Sequence, residues 1–201
     1  CHMRYTSEGG QKFSDHKIVS PLAYIEKTCL VCHKESESEL VANVYERFDK
    51  VKTSQYKLEK LLVRAHFEAK KAWDIGATED QMHDVLMDIR HAQWRWGYVA
   101  NSHGAPFHSP IECLRVYNTG IEIAQDARLK LARILADLGY NKEVEIPDIS
   151  TKAKAQEVVG LDMEKLDRQK EKFMEEVVPK WDEKAAEREK TYDVKELSPK
   201  E

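Results

Sequence analysis

Residues 36–76 read SESELVANVYERFDKVKTSQYKLEKLLVRAHFEAKKAWDIG, and this stretch sets the fold. Ser36 and Glu39 have the spacing of a capping box, in which the hydroxyl takes one orphan backbone N–H of the first helical turn and the carboxylate takes another. Behind them Val44, Phe48, Val51, Gln55, Leu58, Leu62, Ala65, Ala69 and Ala72 recur alternately three and four residues apart. Such spacing draws a seam along one face of a long helix, with Gln55 as its polar break. Gly76 marks the stop.

The same pattern repeats downstream. Thr78-x-x-Gln81 opens a second helix striped by Met82, Val85, Ile89, Gln93, Trp96 and Ala100, which ends around Ser102-His103-Gly104, before Pro106. Ser109, Pro110 and Glu112 predict a third start, with Ser as N-cap, Pro at the first helical position and Glu closing the box. Its seam is Leu114, Tyr117, Ile121, Ala124, Arg128, Leu131, Leu135 and Leu138, and it ends at Gly139. A connector at 143–148 leads to a short helix over about 151–159 and then to an amphipathic helix after Asp162, carrying Met163, Leu166, Phe173 and Val177. Pro179 is expected to kink or stop that helix, and the charged tail from Asp182 to fray. Seams with a period near 3.5 predict helices packed at shallow angles. Helices of roughly 30–40 residues would be about 45–60 Å long, more than one small bundle covers, so a homodimer through these helices is expected.

The chain has 201 residues, of which 34% are charged and 41% hydrophobic, a mixture that suits long solvated helices. A net charge of -4 gives no reason to expect nucleic acid as a partner. No apolar run approaches the roughly 20 residues that span a bilayer, so the chain is expected to be soluble. Residues 1–35 differ from the rest. Gly9-Gly10, the polar stretch Ser14–Lys17 and Ser20-Pro21 punctuate them, without periodicity. A segment of this kind is poor at building its own core and suited to wrapping something else. The organisation expected is therefore a wrapping segment at 1–35, long helices at 36–139, and a connector with C-terminal helices at 140–201.

Within the wrapping segment, Cys29-Leu30-Val31-Cys32-His33 is a complete C-x-x-C-H motif. Two thiols at this spacing reach the two vinyl groups of a haem, and the following His meets the iron from one face, so the motif predicts covalently attached c-type haem. A structural zinc site would want a second ligand pair at short spacing, and a thioredoxin-like site a βαβ context; neither occurs in the sequence. The chain opens on Cys1-His2, with no initiator Met and no export signal. These are the last two letters of such a motif, or else an ordinary terminus or tag remnant; beside the complete motif, the former is expected, making this the C-terminal part of a longer protein. Cys113 reads as a small buried apolar residue of the third helix. A His opposite the proximal one would make a low-spin electron-transfer haem, and the loop residues His16, His103 and His108 are candidates. His66 and His91 read as core or interhelical residues and His83 as a surface one, while Trp94, Trp96, Tyr98 and Phe107 offer flat surfaces suited to a porphyrin or to a core.

Several strings read together resemble one family. They are Cys1-His2-Met3-x-Tyr5, Ser14-Asp15-His16-Lys17-Ile18 with Pro21, the motif at Thr28–His33, and Ala65-His66-Phe67-Glu68-Ala69-Lys70. To these add the runs Arg90–Trp96, Ser102-His103-Gly104 with His108, Ala127–Arg133 and Ile146–Lys152. Nearly the whole chain to about residue 181 is similar to the C-terminal portion of the pentahaem cytochrome c nitrite reductases, periplasmic enzymes that form ammonia. The resemblance implies a mainly α fold: a multihaem cytochrome c segment with haem-wrapping loops followed by long packed helices. It implies that Cys1 ends a fourth attachment motif, with His2 as proximal iron ligand, and that Cys29, Cys32 and His33 form the fifth. It further implies that His108 is the distal ligand of the haem held by His2, and that His16 is the distal ligand of a haem attached upstream.

Five haems c would belong to the full protein, at least two of them attached here, together with calcium held by upstream residues. The long helices would form the dimer contact, and a membrane-anchored quinol-oxidising or a soluble cytochrome would donate electrons for nitrite. The family's catalytic haem is attached by C-x-x-C-K, a motif this sequence does not contain, so no catalytic residue is expected within it. Two other functions compete with the nitrite reductase: a non-catalytic multihaem electron carrier, and a haem-free helical interaction module whose C-x-x-C-H binds zinc.

Overall fold

The computed structural model describes residues 2–192, and it is mainly α. Among the described residues two short strands, β1 (Tyr5–Glu8) and β2 (Gln11–Ser14), form an antiparallel hairpin, followed by a 3-10 turn (Pro21–Tyr24) and α1 (Ile25–Thr28). Then come α2 (Glu37–Asp74), α3 (Glu79–Ala100), α4 (Ala105–His108) and α5 (Pro110–Asp137). The chain beyond the Glu145/Ile146 junction is a separate compact unit containing α6 (Lys152–Val158), α7 (Met163–Glu176) and α8 (Val178–Glu189). No helix is long and apolar enough to cross a membrane among the described residues.

Two of the three expected capping boxes form. Ser36 Oγ accepts from the Glu39 backbone N–H while the Glu39 carboxylate takes the Ser36 N–H, and Thr78 and Gln81 do the same for α3. Helix α2 stops where Gly76 takes a φ of 100°, a conformation that costs glycine little. Helices α2, α3 and α5 pack together around two apolar clusters. One joins Ala65, Ala69, Met82, Val85, Leu131 and Leu135; the other joins Val51, Leu58, Leu62, Ala92, Val99 and Tyr117. Arg128 of α5 sits on the seam and forks onto Glu68 of α2 at 2.5–3.1 Å, and Lys130 reaches Asp88 of α3 at 2.6 Å. Cys113 is buried in the second cluster, as its sequence setting predicts, and that burial pushes its thiol pKa up.

The close crossing of α5 over α2 is made at Gly120. A Cβ there would lie 2.8 Å from Leu58 Cδ2 and 3.4 Å from Arg95 Cβ. The end of Leu58 can swing to admit one methyl, but a branched side chain has nowhere to go. Gly120→Val is therefore expected to cost about 1–3 kcal/mol, read as a lower denaturant midpoint without a change in m.

Tyr117, wholly buried beside it, has a hydroxyl with no hydrogen-bond partner among the described residues. Burial first, then the nearby charges of Glu59 and Cys113, push its phenol up to about 12. A folded-state pKa raised from 10 means that the unfolded chain loses this proton first, so stability is whole below pH 10 and falls between pH 10 and 12. Tyr117→Phe is expected to flatten that alkaline decline in a comparison of denaturant midpoints at pH 9 and pH 11.

Four local expectations are corrected. Ala92 and Val99 are buried, whereas Gln93 is exposed and Ala100 only half-buried, because a straight helix at 3.6 residues per turn drifts away from a strict heptad. The Ser109 box does not close: Glu112 forks onto Arg115 at 2.5 and 2.7 Å instead, and Pro110 alone marks the start of α5. Helix α7 does stop at Glu176, ahead of Pro179 as expected, but the charged tail does not fray: Pro179 sits in the first turn of α8, where its missing N–H removes no helical bond, and the run continues helical to Glu189. His66 and His91 both lie exposed on their helices and do not fill core or interhelical positions.

Within the C-terminal unit, Asp162 caps α7 through the Lys165 N–H, and Phe173 meets Trp181 edge-on with ring centroids 5.3 Å apart. Hydrogen bonds from Lys154 and from the Ser150 backbone hold the Asp148 carboxyl down at about 2.

Candidate haem-ligating site

The motif is built as a helical turn. Helix α1 continues into it through Cys29 N–H to Ile25 O at 2.9 Å, and His33 N–H closes back on Cys29 O at 3.0 Å. Thr28 Oγ1 fastens this turn to the preceding one, 2.8 Å from Pro21 O and 3.0 Å from Tyr24 O. The result sets Cys29 half-buried, Cys32 exposed and His33 exposed on adjacent positions of one turn, with neither thiol in a disulfide. Among the described residues no three His, Cys, Asp or Glu side chains gather into a group that could hold a metal ion.

Glu35 gives His33 an orientation. Its Oε2 lies 3.3 Å from His33 Nδ1, leaving Nε2 as the nitrogen available to a metal, the arrangement in which an outer carboxylate fixes the ring of a ligating His. The Glu35 carboxyl pKa is lowered by its own backbone N–H, then by that of Lys34 and by His33.

His108 ends α4, the short helix turned out of the α3–α5 loop at Pro106. Its N–H reaches Gly104 O at 3.1 Å, and Arg47 of α2 lies over the Phe107 ring, 5.4 Å from its centroid. Across from it stands His2, more than a hundred residues earlier in the chain. The two imidazole centroids are 5.9 Å apart with planes inclined at 59°. Two imidazoles binding one metal from opposite sides, each through a nitrogen about 2.0 Å away, would have centroids roughly 6 Å apart.

His16 is exposed just beyond β2, with Nε2 3.4 Å from Ser14 Oγ. His103 lines a cavity of about 210 Å³ beside Gln55, Ser102 and Tyr117 and is not paired with another His. Trp94 and Tyr98 stack on each other in the open at 5.4 Å, while Trp96 is half-buried and donates to Glu59 at 2.8 Å. Cys1 lies outside the described residues.

The surroundings fit a haem. Between residues 2 and 35 only Ile25 is buried, at 2% exposure, while Met3, Tyr5, Phe13, Val31 and above all Ile18, at 96%, face outward. A segment with so much unburied apolar surface has no core of its own, and a porphyrin face beside the motif would cover that surface.

Sequence reasoning did not single out three residues that shape this segment: Arg4, Tyr24 and Glu35. Arg4 and Asp15 pair at 2.5 Å across the base of the hairpin, and Tyr24 covers the guanidinium at 3.5 Å. The hairpin itself could have been read from Gly9-Gly10, whose φ values of 56° and 80° make a two-residue turn.

The cytochrome c552 family model matches residues 1–192. Cytochrome c-552 of Porphyromonas gingivalis is 56% identical over 185 residues, covering 92% of this chain and 37% of that protein. Cytochrome c-552 of Bacteroides thetaiotaomicron is also 56% identical over 185 residues, covering 92% of this chain and 38% of its own. That of Parabacteroides distasonis is 54% identical over 187 residues, covering 93% and 38%. The chain thus spans 37–38% of the length of these curated relatives. On the strength of the family match and of these identities, the chain belongs to the cytochrome c552 family.

Proposed function

We propose that the chain is the electron-transfer and dimerisation part of a periplasmic multihaem c-type cytochrome that reduces nitrite to ammonia. The observation that carries this reading is the approach of His2 to His108, two residues distant in sequence whose rings stand 5.9 Å apart, as ligands on opposite faces of one haem would. The family and the resemblance to the pentahaem nitrite reductases supply the rest.

In this reading Cys29 and Cys32 carry thioether bonds to one haem and Cys1 carries one bond to another. His33 and His2 are the proximal ligands, His108 is the distal ligand of the haem on His2, and His16 serves a haem attached upstream. Bound haem supplies one-electron redox chemistry. The residues here would hold and orient it, and His2 with His108 as iron ligands would leave that iron no open position for nitrite, so the part they would play is to pass electrons. Substrate chemistry falls to a C-x-x-C-K haem outside these residues, beside a calcium site. The faces of the long helices join two subunits, and a quinol-oxidising or soluble cytochrome donates the electrons.

The test is to load residues 1–201 with haem, reduce them with dithionite, remove the excess and add nitrite. The reduced α and β bands are expected to persist and no ammonia to form, whereas the full-length protein should turn over. Nitrite-dependent reoxidation with ammonia production by residues 1–201 alone would contradict the assignment.

A further inference from the structure

Two of the histidines proposed above as haem ligands are tied together by a charge pair with little side-chain exposure. Arg4 follows His2 by two residues, and Asp15 immediately precedes His16. The hairpin register, Tyr5 opposite Ser14, brings Arg4 and Asp15 to its open end. There the Asp15 N–H donates to Arg4 O at 2.7 Å, and the side chains pair at 2.5 Å. Their side chains are only 7% and 12% exposed, in a segment whose one buried residue is Ile25. Asp15 uses both oxygens, one on Arg4 and one on the Lys17 N–H at 2.9 Å. The Tyr24 ring covers the guanidinium and anchors it to the turn that leads into the Cys29–His33 motif. Arg4 Nε is buried and has no acceptor among the described residues. An unmatched cationic donor in such a place suits an anion from outside the chain, and haem carboxylates are the anions these histidines would bring close.

We propose that the Arg4–Asp15 pair is a positioning clasp that fixes His2 and His16 relative to each other, and that its two opposite charges tune the reduction potentials of the haems those histidines hold. The proposal rests on the haem reading given above. Its physical basis is simple. Charges removed from water act on each other far more strongly than exposed ones. A cation near haem favours the reduced iron, which has gained an electron, and an anion favours the oxidised iron. As a pair the two charges nearly cancel. Removal of one partner leaves the other uncompensated, so the two single variants must move the potential in opposite directions. A clasp that only held the backbone would loosen either way and shift both variants in the same direction.

The experiment is a spectroelectrochemical titration of the full-length, haem-loaded protein carrying Arg4→Met, Asp15→Asn or both. Arg4→Met is expected to lower the potential of at least one bis-His haem and Asp15→Asn to raise it, with the double variant returning near the wild type. Shifts of the same sign in both single variants, or no shift in either, would overturn the proposal. Arg4→Lys keeps the charge without the planar fork and guards against a variant that does not assemble. It should leave the potentials near those of the wild type while broadening the low-spin electron paramagnetic resonance signals through looser ligand orientation; a potential as low as that of a charge-free variant would count against the tuning. Haem content of the wild type is read first, because a wild type without haem at this segment overturns the haem reading itself and the clasp with it.

Discussion

Replacing Cys29 and Cys32 together with serine is expected to remove one covalently bound haem while leaving the helical bundle folded. The thiols are the attachment points, so serine at both positions leaves no bond to the cofactor. The bundle should survive because its two apolar clusters draw on no residue before Val51. The haem count of the denatured protein, from pyridine haemochrome absorbance against protein mass, should fall by one whole haem, with far-UV circular dichroism almost unchanged. An unchanged count would show that the motif carries no haem. Loss of helix in parallel with the haem would show that α2, α3 and α5 depend on the wrapping segment in a way their packing does not suggest.

His108→Ala is the second change with a large expected effect. His108 is exposed at the end of α4 and lies outside both apolar clusters, so its loss should cost the fold no more than about 0.5 kcal/mol. What it should change is ligation. With His2 left as sole ligand, one haem is expected to pass from low to high spin, seen as the loss of one set of low-spin resonance signals and the gain of a high-spin one. His103 supplies the control, since it sits in the same loop but lines the cavity near Tyr117 instead of facing another His. His103→Ala is expected to leave the spin state unchanged. Equal effects from the two variants would remove the basis for choosing His108.

The helices were legible because their signals are local. Ser36 with Glu39 and Thr78 with Gln81 each lie within one turn, and each box formed as spacing predicts. The seams fared well near the helix centres and drifted at the end of α3, where Ala92 replaced Gln93. A strict heptad reading accumulates an error of a residue over several turns. Glu112 escaped its box because Arg115, three residues on, offers a stronger partner than a backbone N–H. Pro179 does mark the end of α7, but α8 was missed because the run from Asp182 is mostly charge, with no apolar stripe to announce a helix.

The site was half legible. The C-x-x-C-H motif is contiguous, and α1 carries it as one turn. The pairing of His2, ahead of β1, with His108, at the end of α4, joins residues more than a hundred positions apart, so no spacing encodes it; the residues alone offered His16, His103 and His108 on equal terms, and only the family resemblance singled out His108 for His2. The clasp of Arg4 on Asp15 was hidden for a similar reason. It depends on a hairpin whose residues alternate too weakly to announce a strand, and on Tyr24 arriving from the next turn.

The most direct measurement is the mass of the proteolytic peptide that contains Cys29 to His33, taken from protein matured with haem-attachment machinery. The account predicts a peptide heavier by one haem, joined through Cys29 and Cys32 and still coloured after denaturation. A peptide of unmodified mass with two alkylatable thiols would contradict it.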